Sequence, residues 1–370
     1  MTRSLWPTAV QFAGKCLSET TYLTGYFGGR PPGQVARMIN AEYTKAAARL
    51  IAMSDVLFIK TSSLGDVIHH MPAVSEARAR RPGDRFAWVV EEAFAPLVRL
   101  HPAVDEVIPV AARRWRGMSL LKPSTWTQIG DFRHVLRSQN YDAIVDTQGL
   151  FFKSALIARA AHGVRHGYDD RSIKEPTASR LYDVRHRVDR NLHAVVRNRM
   201  LTALALGYAM QGEPDYGLDA AALAPKAASA RYAVLLHATA RQSKEWPAGN
   251  WQRLAAELGG AFDMVLPWGT AREAERSRHI ATGVARARVP QRQPLDEVAR
   301  LIAGASFVVG VDTGLMHLAA ALRVPLVGIF TDSEPGLTGP VGAGAIRIVG
   351  GKGAPPSFDE VAGAVRQVIG

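Results

Sequence analysis

The sequence predicts an α/β protein made of two similar parallel-sheet units. Short apolar runs rich in β-branched residues recur along it, among them VLFI at 56–59, FAWVV at 86–90, AVLL at 233–236 and FVVGV at 307–311. Such runs suit strands buried on both faces of a sheet. Stretches of helical length and pattern alternate with them, as in a parallel sheet covered on both sides. A chain of 370 residues, 47% hydrophobic and 21% charged, has material for two cores of this kind.

Residues 1–52 stand apart from this pattern. Gly28, Gly29, Pro31, Pro32 and Gly33 form a breaker cluster, and a helix-like run follows from about Gln34 to Ala52. A basic amphipathic helix touching a membrane is one reading of that run. The reading preferred here is an N-terminal extension that is poorly ordered or a non-native start, because terminal segments without partners are usually loose. A chain beginning at Met53 would already be a complete α/β domain.

Residues 53–208 form the first predicted domain. Strands are expected at 55–60, 86–90, 106–110 and 142–146, with helices at about 67–80, 93–99, 128–138 and 151–160. Residues 209–230 lose periodicity and gain Gly, Pro and Ala, as a linker does. Residues 231–370 form the second domain, with strands at 232–237, 262–266, 306–311 and 325–330. Its helices are expected at 249–258, 271–282, 295–303 and 314–322, and a closing helix at 357–369. The likeness of the two halves is one of pattern, without a detectable sequence repeat.

The balance of 45 basic against 33 acidic residues gives a net charge of +12. That implies an anionic partner: nucleic acid, a membrane surface or a phosphorylated substrate. Cys16 is the only cysteine, so an intrachain disulfide and a thiolate metal cluster are both excluded, which suits a reducing compartment. No apolar run reaches transmembrane length, and the start lacks the continuous apolar stretch of a signal peptide. HExxH, GxxxxGK[ST] and GxGxxG are missing, and so is any Asp-x-Asp. A diphosphate held through a metal therefore has little support, and no cofactor is expected.

Chemistry is expected where strands end, because open parallel sheets bind ligands beyond their carboxyl edge. The first strand runs into Thr61, Ser62, Ser63, Leu64 and Gly65, and then Asp66 at the start of a helix. Asp66 reads equally as a helix cap and as a catalytic carboxylate. In VDTGLMHLAAAL, Asp312, Thr313 and Gly314 turn the chain into a helix whose free N–H groups suit a phosphate, with His317 in the first turn. The plainer alternative is a capping turn with a surface histidine. In HATARQSKEWP, Thr239 offers a hydroxyl and Lys244 a point charge for a diphosphate. Glu273 suits a ribose hydroxyl, or simply the start of a helix. Arg113, Arg114 and Arg116 lie in a basic loop; arginines grip carboxylate and phosphate in a bidentate fork. Trp115 among them could stack on a sugar or lie at a lipid interface.

The stretches KTSSLGDVIHHMPA, FAWVVEEAFAPL, VIPVAARRWR, NYDAIVDTQGL, HGVRHGYDD, LLHATARQSKEWP, LPWGTAREAE and VDTGLMHLAAAL occur in that order from Ser54 to the C-terminus. Together they resemble the ADP-heptose:lipopolysaccharide heptosyltransferases of glycosyltransferase family 9. The resemblance implies a GT-B fold, with two Rossmann-like domains facing a central cleft. It implies inverting, metal-independent transfer of L-glycero-D-manno-heptose from ADP-heptose to the Kdo residue of Kdo-lipid A, on the cytoplasmic face of the inner membrane as a peripheral protein. By motif, Asp66 then corresponds to the catalytic base and Lys244 to a catalytic cation. Thr239, Ala240, Lys244, Glu273, Asp312, Thr313, Gly314 and His317 match the donor site. Ser63, Arg113, Arg114, Arg116 and Lys174 match the acceptor site. Two positions depart from the family pattern. Ala240 stands where a second hydroxyl can occur, so its contact falls to the backbone. Lys174 replaces an arginine and cannot make the same fork. Rival readings are a sister enzyme acting on a later heptose and, from another class, a basic nucleic-acid-binding module. The basic residues form no aromatic-faced platform, which speaks against nucleic acid as a partner.

Overall fold

A computed structural model describes residues 53–225 and 231–370. The expectations for residues 1–52, and the end of the predicted linker, lie outside the described residues. Two six-stranded sheets form the framework. The first contains β1 (Asp55–Ile59), β2 (Arg85–Glu91), β3 (Glu106–Val110), β4 (Asn140–Asp146), β5 (His162–Tyr168) and β6 (Val184–His186). The second contains β7 (Tyr232–Leu236), β8 (Asp263–Val265), β9 (Ala287–Arg288), β10 (Phe307–Val311), β11 (Leu326–Phe330) and β12 (Ile346–Gly350). Their orders are β3-β2-β1-β4-β5-β6 and β12-β11-β10-β7-β8-β9, and every pairing is parallel.

Counted within its own lobe, each sheet has the same doubly wound order, 3-2-1-4-5-6. The chain reverses its direction of travel across the sheet between β1 and β4 in one lobe, and between β7 and β10 in the other. Loops leaving those strands splay apart, and the crevice between them is the place where such folds bind ligands. The four central strands are almost wholly buried, including Leu57, Phe58, Ile59, Val234, Leu235 and Val309.

The strands missing from the sequence reading, β5, β6, β9 and β12, all lie toward sheet edges. β5 is half exposed and reads HGVRHGY; β12 is exposed or half-buried throughout. An edge strand buries little, so its apolar signal is weak. The helix Ala194–Leu206 was also absent from that reading. It buries the polar Asn198, Arg199 and Thr202 along with its apolar residues where it packs against Leu64–Arg80, so no amphipathic stripe marks it. The helix expected at 93–99 is a 3₁₀ turn, Glu92–Phe94, followed by the short helix Ala95–Val98. The one expected at 151–160 begins as a π turn, Phe151–Ala155, before Leu156–Ala160.

The segment read as a linker is firmly attached. Arg199 and Glu76 form a buried ion pair at 2.8 Å, and the same two side chains bond the backbone of Gln211 and Gly212. Every charge in that cluster has a partner, as burial requires. Farther on, the Tyr216 hydroxyl donates to the Val341 carbonyl, and Asp219 caps a short helix, Ala220–Leu223.

The two lobes meet along an apolar seam. Helix Leu64–Arg80 packs against helix Gly314–Ala321, and Ala95–Val98 against Leu295–Ala303. Val67, Ile68 and Met71 belong to one continuous core with Met316, Leu318 and Ala319. The first turns of the leading pair abut. A Cβ on Gly314 would come 2.7 Å from Leu64, and one on Gly65 would come 3.0 Å from the His317 ring. The close approach that Gly314 makes in this structure is to Leu64.

Candidate active site

A cavity of about 410 Å³ opens beyond the carboxyl ends of β1 and β4. Lys60, Lys153, Lys174, Arg113, Arg116 and Arg197 line it, against the carboxylates of Asp66 and Glu91. Among the described residues, none of those six basic side chains has a carboxylate oxygen within 4 Å. An enclosure with that balance attracts a multiply charged anion.

Asp66 lies in the first turn of Leu64–Arg80 and fills the capping role its sequence position allowed. Its Oδ2 accepts from the Ser63 backbone N–H at 2.7 Å and from Ser63 Oγ at 2.8 Å, as a cap does. The same carboxylate faces the cavity. Its Oδ1 takes no hydrogen bond among the described residues. Lys60 directly follows β1 and is buried; its Nζ donates to the Thr147 carbonyl at 2.9 Å. Burial lowers its pKa, opposed by the nearby Asp66 and Asp146. Burial likewise raises Glu91, which accepts from the Arg113 N–H.

Asp146 also stands at a strand end, closing β4. The structure gives it to its own turn: it is fully buried and accepts from the N–H groups of Gln148 and Gly149 and from the Tyr182 hydroxyl. Burial raises its pKa despite those bonds. Gly149 has φ +67°, and a Cβ there would meet Ile173 at 2.8 Å, so this turn demands glycine.

The basic loop divides. Arg113 and Arg116 line the cavity, with the Arg113 guanidinium 4.8 Å above the Phe94 ring. Arg114 points into a separate hollow and pairs with Glu92 at 3.0 Å, which removes it from the cavity-lining set. Trp115 does not stand free for a sugar or a lipid. It packs edge-on to Phe132 and donates to Gln128. Ser63 and Lys174 both line the cavity.

At the second lobe's switch point, four expected donor residues draw together. Thr239 Oγ1 donates to the Asp312 carbonyl at 2.9 Å, and Lys244 Nζ reaches Asp312 Oδ2 at 2.5 Å. Ser333 donates to that same oxygen. Burial pushes Asp312 upward, but the bonds from Lys244 and Ser333 outweigh it and hold the carboxyl below its usual range. His317 Nε2 is 4.0 Å from Asp312 Oδ1, and its Nδ1 is 3.3 Å from His69 Nε2. Burial takes His317 down to about 4 against the pull of Asp312 and Asp66, so at neutral pH this is a neutral imidazole beside a carboxylate. His317 is buried in the seam, so the surface histidine of the plainer alternative does not hold. Thr313 precedes the helix Gly314–Ala321 as its N-cap, and Ala240 is exposed beside Thr239. Glu273 accepts from the Gly269 and Thr270 N–H groups at the start of helix Ala271–Ala281, the capping role weighed against a ribose contact.

Sequence reasoning missed Lys60, Lys153, Arg197 and Asn198 as cavity residues. For Lys60 there was a signal: a lysine closing a run of four buried apolar residues is costly unless it has a use. Arg197 and Asn198 sit on the helix that escaped notice.

Residues 129–363 match the family model of glycosyltransferase family 9 (heptosyltransferase). The chain is 44% identical over 290 residues to lipopolysaccharide heptosyltransferase 1 of Escherichia coli strain K12, covering 78% of this chain and 91% of that protein. It is 42% identical over 297 residues to lipopolysaccharide heptosyltransferase 1 of Pseudomonas aeruginosa, covering 79% and 83%. The fold matches the solved structure of E. coli heptosyltransferase WaaC with ADP-2-deoxy-2-fluoro heptose. There the TM-score is 0.75 at 41% identity, over 85% of this chain and 98% of that one.

Proposed function

The chain belongs to glycosyltransferase family 9, the heptosyltransferases, and from that premise we propose how its two switch points divide the work. It is a glycosyltransferase of lipopolysaccharide biosynthesis. The donor is ADP-L-glycero-D-manno-heptose, held at the β7 and β10 loops. The acceptor is the Kdo sugar of Kdo-lipid A, held in the cation-lined cavity at β1 and β4. One observation carries this reading. The first turns of helices Leu64–Arg80 and Gly314–Ala321 abut, so Asp66 stands on the same seam as the Asp312–Thr313–Gly314 turn, beside a cavity rich in basic side chains.

The acceptor hydroxyl gives its proton to Asp66 Oδ1 as its oxygen bonds to the anomeric carbon. The bond from that carbon to the diphosphate oxygen breaks, and ADP leaves from the opposite face, which inverts the centre. General-base help of this kind is worth about 10²–10⁴-fold. Lys244 and the N–H groups at the start of Gly314–Ala321 meet the charge that develops on the departing diphosphate, which favours the transition state over the ground state. An anionic donor competes with Asp312 for Lys244. Lys60, Arg113, Arg116 and Lys153 take the carboxylate and phosphates of the acceptor. The step needs no metal: the charge on the diphosphate is met by Lys244 and backbone N–H groups. Among the described residues no helix is long and apolar enough to cross a membrane. A lipid-linked acceptor then requires the protein to work at the bilayer surface, on the cytoplasmic face.

Asp66→Asn tests the assignment of the base. Its transfer to Kdo-lipid A is expected to fall by about 10²–10⁴-fold, while ADP binding stays within twofold of the parent by calorimetry. Near-normal turnover in that variant would remove Asp66 from the role.

A further inference from the structure

Beside the acceptor cavity the surface is unusual. Among the described residues, the three most exposed large hydrophobic side chains are Met118 at 81%, Phe152 at 81% and Leu121 at 79%. They come from two segments far apart in sequence. One is the loop after β3 with the start of helix Pro123–Arg137; the other is the π turn Phe151–Ala155 after β4. Both segments line the cavity, through Arg113 and Arg116 on one side and Leu150 and Lys153 on the other. The three side chains therefore belong to segments that border it. Trp126 joins them, 59% exposed, with its indole N–H bonded to the Leu120 carbonyl at 2.8 Å. That bond leaves the ring body without a polar demand of its own.

The apolar tips are set in positive charge. Between positions 113 and 137 there are six Lys and Arg residues and one acidic residue, Asp131. Lys122 and Arg116 are exposed between and beside the tips, and Lys153 follows Phe152 directly. Isolated exposed hydrophobics mean little, but a cluster with a basic collar has the composition of a surface that enters a bilayer interface. Lys and Arg there add attraction for anionic headgroups.

We propose that Met118, Leu121, Trp126 and Phe152 form the docking face of this protein, inserting into the headgroup region of an anionic phospholipid bilayer with Lys122 on the phosphates. The choice of a bilayer over another partner rests on charge complementarity and on continuity with the cavity. This deepens the reading of that cavity as the site of a lipid-linked acceptor: the sugar enters the cavity while the acyl chains remain in the membrane at its rim. The hydrophobic tips thus bring the mouth to the substrate without lifting the lipid out.

The test uses the full chain and vesicles of phosphatidylcholine, alone or with phosphatidylglycerol, with no nucleotide sugar present. The parent protein is expected to float with the anionic vesicles and to bind neutral ones more weakly. The variant Met118→Ser/Leu121→Ser/Phe152→Ser is expected to lose binding by about tenfold or more, while its transfer to an acyl-free Kdo acceptor stays within twofold. Brominated lipid is expected to quench part of the tryptophan emission, and Trp126→Phe to remove that part. The proposal is overturned if the parent ignores anionic vesicles, if the triple variant binds as the parent does, or if quenching is unchanged in Trp126→Phe. Self-association that the triple variant abolishes, without vesicle binding, would give the face to a second copy and overturn it too. Because vesicle binding is read without any sugar substrate, its failure leaves the transfer reading standing, and loss of transfer to the acyl-free acceptor by the parent sinks that reading alone.

Discussion

The two lobes share a strand order and differ in how they handle charge at the same topological position. At the β1–β4 switch point the basic side chains face an open cavity with no carboxylate within 4 Å among the described residues. At the β7–β10 switch point Lys244 is already matched by Asp312, which Ser333 also holds. One site keeps its positive charge unspent; the other is poised, with an internal anion in place of an external one. The difference teaches that one strand order can hold positive charge in two ways, unpaired beside a cavity or matched by an internal carboxylate.

Lys244→Ala attacks the matched site and carries the largest expected effect in this comparison. It removes the cation and leaves the Asp312 carboxylate half-buried without its main partner. ADP affinity is expected to fall by about 10–100-fold, in keeping with a truncated charge pair, and calorimetry reads it. Unchanged affinity would show that the lobes do not differ in the way described.

Arg116→Ala and Arg114→Ala separate cavity from surface within one loop. Arg116→Ala is expected to raise the KM for acceptor by about tenfold, the loss of one charge-assisted contact. Arg114→Ala removes only an exposed pair with Glu92, and steady-state kinetics are expected to move by less than twofold. Equal effects would merge the two arginines into one site.

Gly314→Ala sharpens the view of the seam. A methyl 2.7 Å from Leu64 must push the abutting turns apart, at a cost of about 1–3 kcal/mol. Denaturant unfolding measures it, and Leu64→Ala in the same chain is expected to restore part of the loss. A neutral Gly314→Ala would mean the turns do not touch as described.

The smallest effect concerns pH. His317 is lowered to about 4 from an ordinary 6.5, and its seam neighbours His69 and His193 are also lowered, all chiefly by burial. The unfolded chain therefore binds more protons than the folded one between those values. The His317 contribution to stability is fully present above about pH 6.5 and declines as the pH falls toward 4, by about 1.4 kcal/mol per pH unit. Melting temperature across that range reads the slope, and His317→Asn is expected to flatten it. A slope of the opposite sign would mean the seam holds charged imidazoles.

Much of this organisation was legible before any coordinates. Central strands such as VLFI and FVVGV announce themselves because burial on both faces leaves nothing polar in them, and turn residues such as Asp66 and Thr313 sit where strand gives way to helix. The outer strands and the helix Ala194–Leu206 were silent for different reasons, too exposed in one case and burying polar residues among apolar ones in the other. At the site, residue types were readable but directions were not. Asp146 resembles Asp66 in the sequence, yet one feeds its own turn and the other faces the cavity. Arg114 and Arg116 differ by two positions and point into different hollows, and Trp115 is packed while Trp126 is free. Those outcomes depend on tertiary neighbours such as Glu92, Phe132 and Tyr182, which no local pattern specifies.

The most direct test of the central claim is mass spectrometry of lipid products after incubation with ADP-heptose. The account predicts a single heptose added to Kdo-bearing lipid A and none to lipid A without Kdo. An acceptor modified only when it already carries a heptose, or no addition to the Kdo-bearing lipid at all, would contradict it.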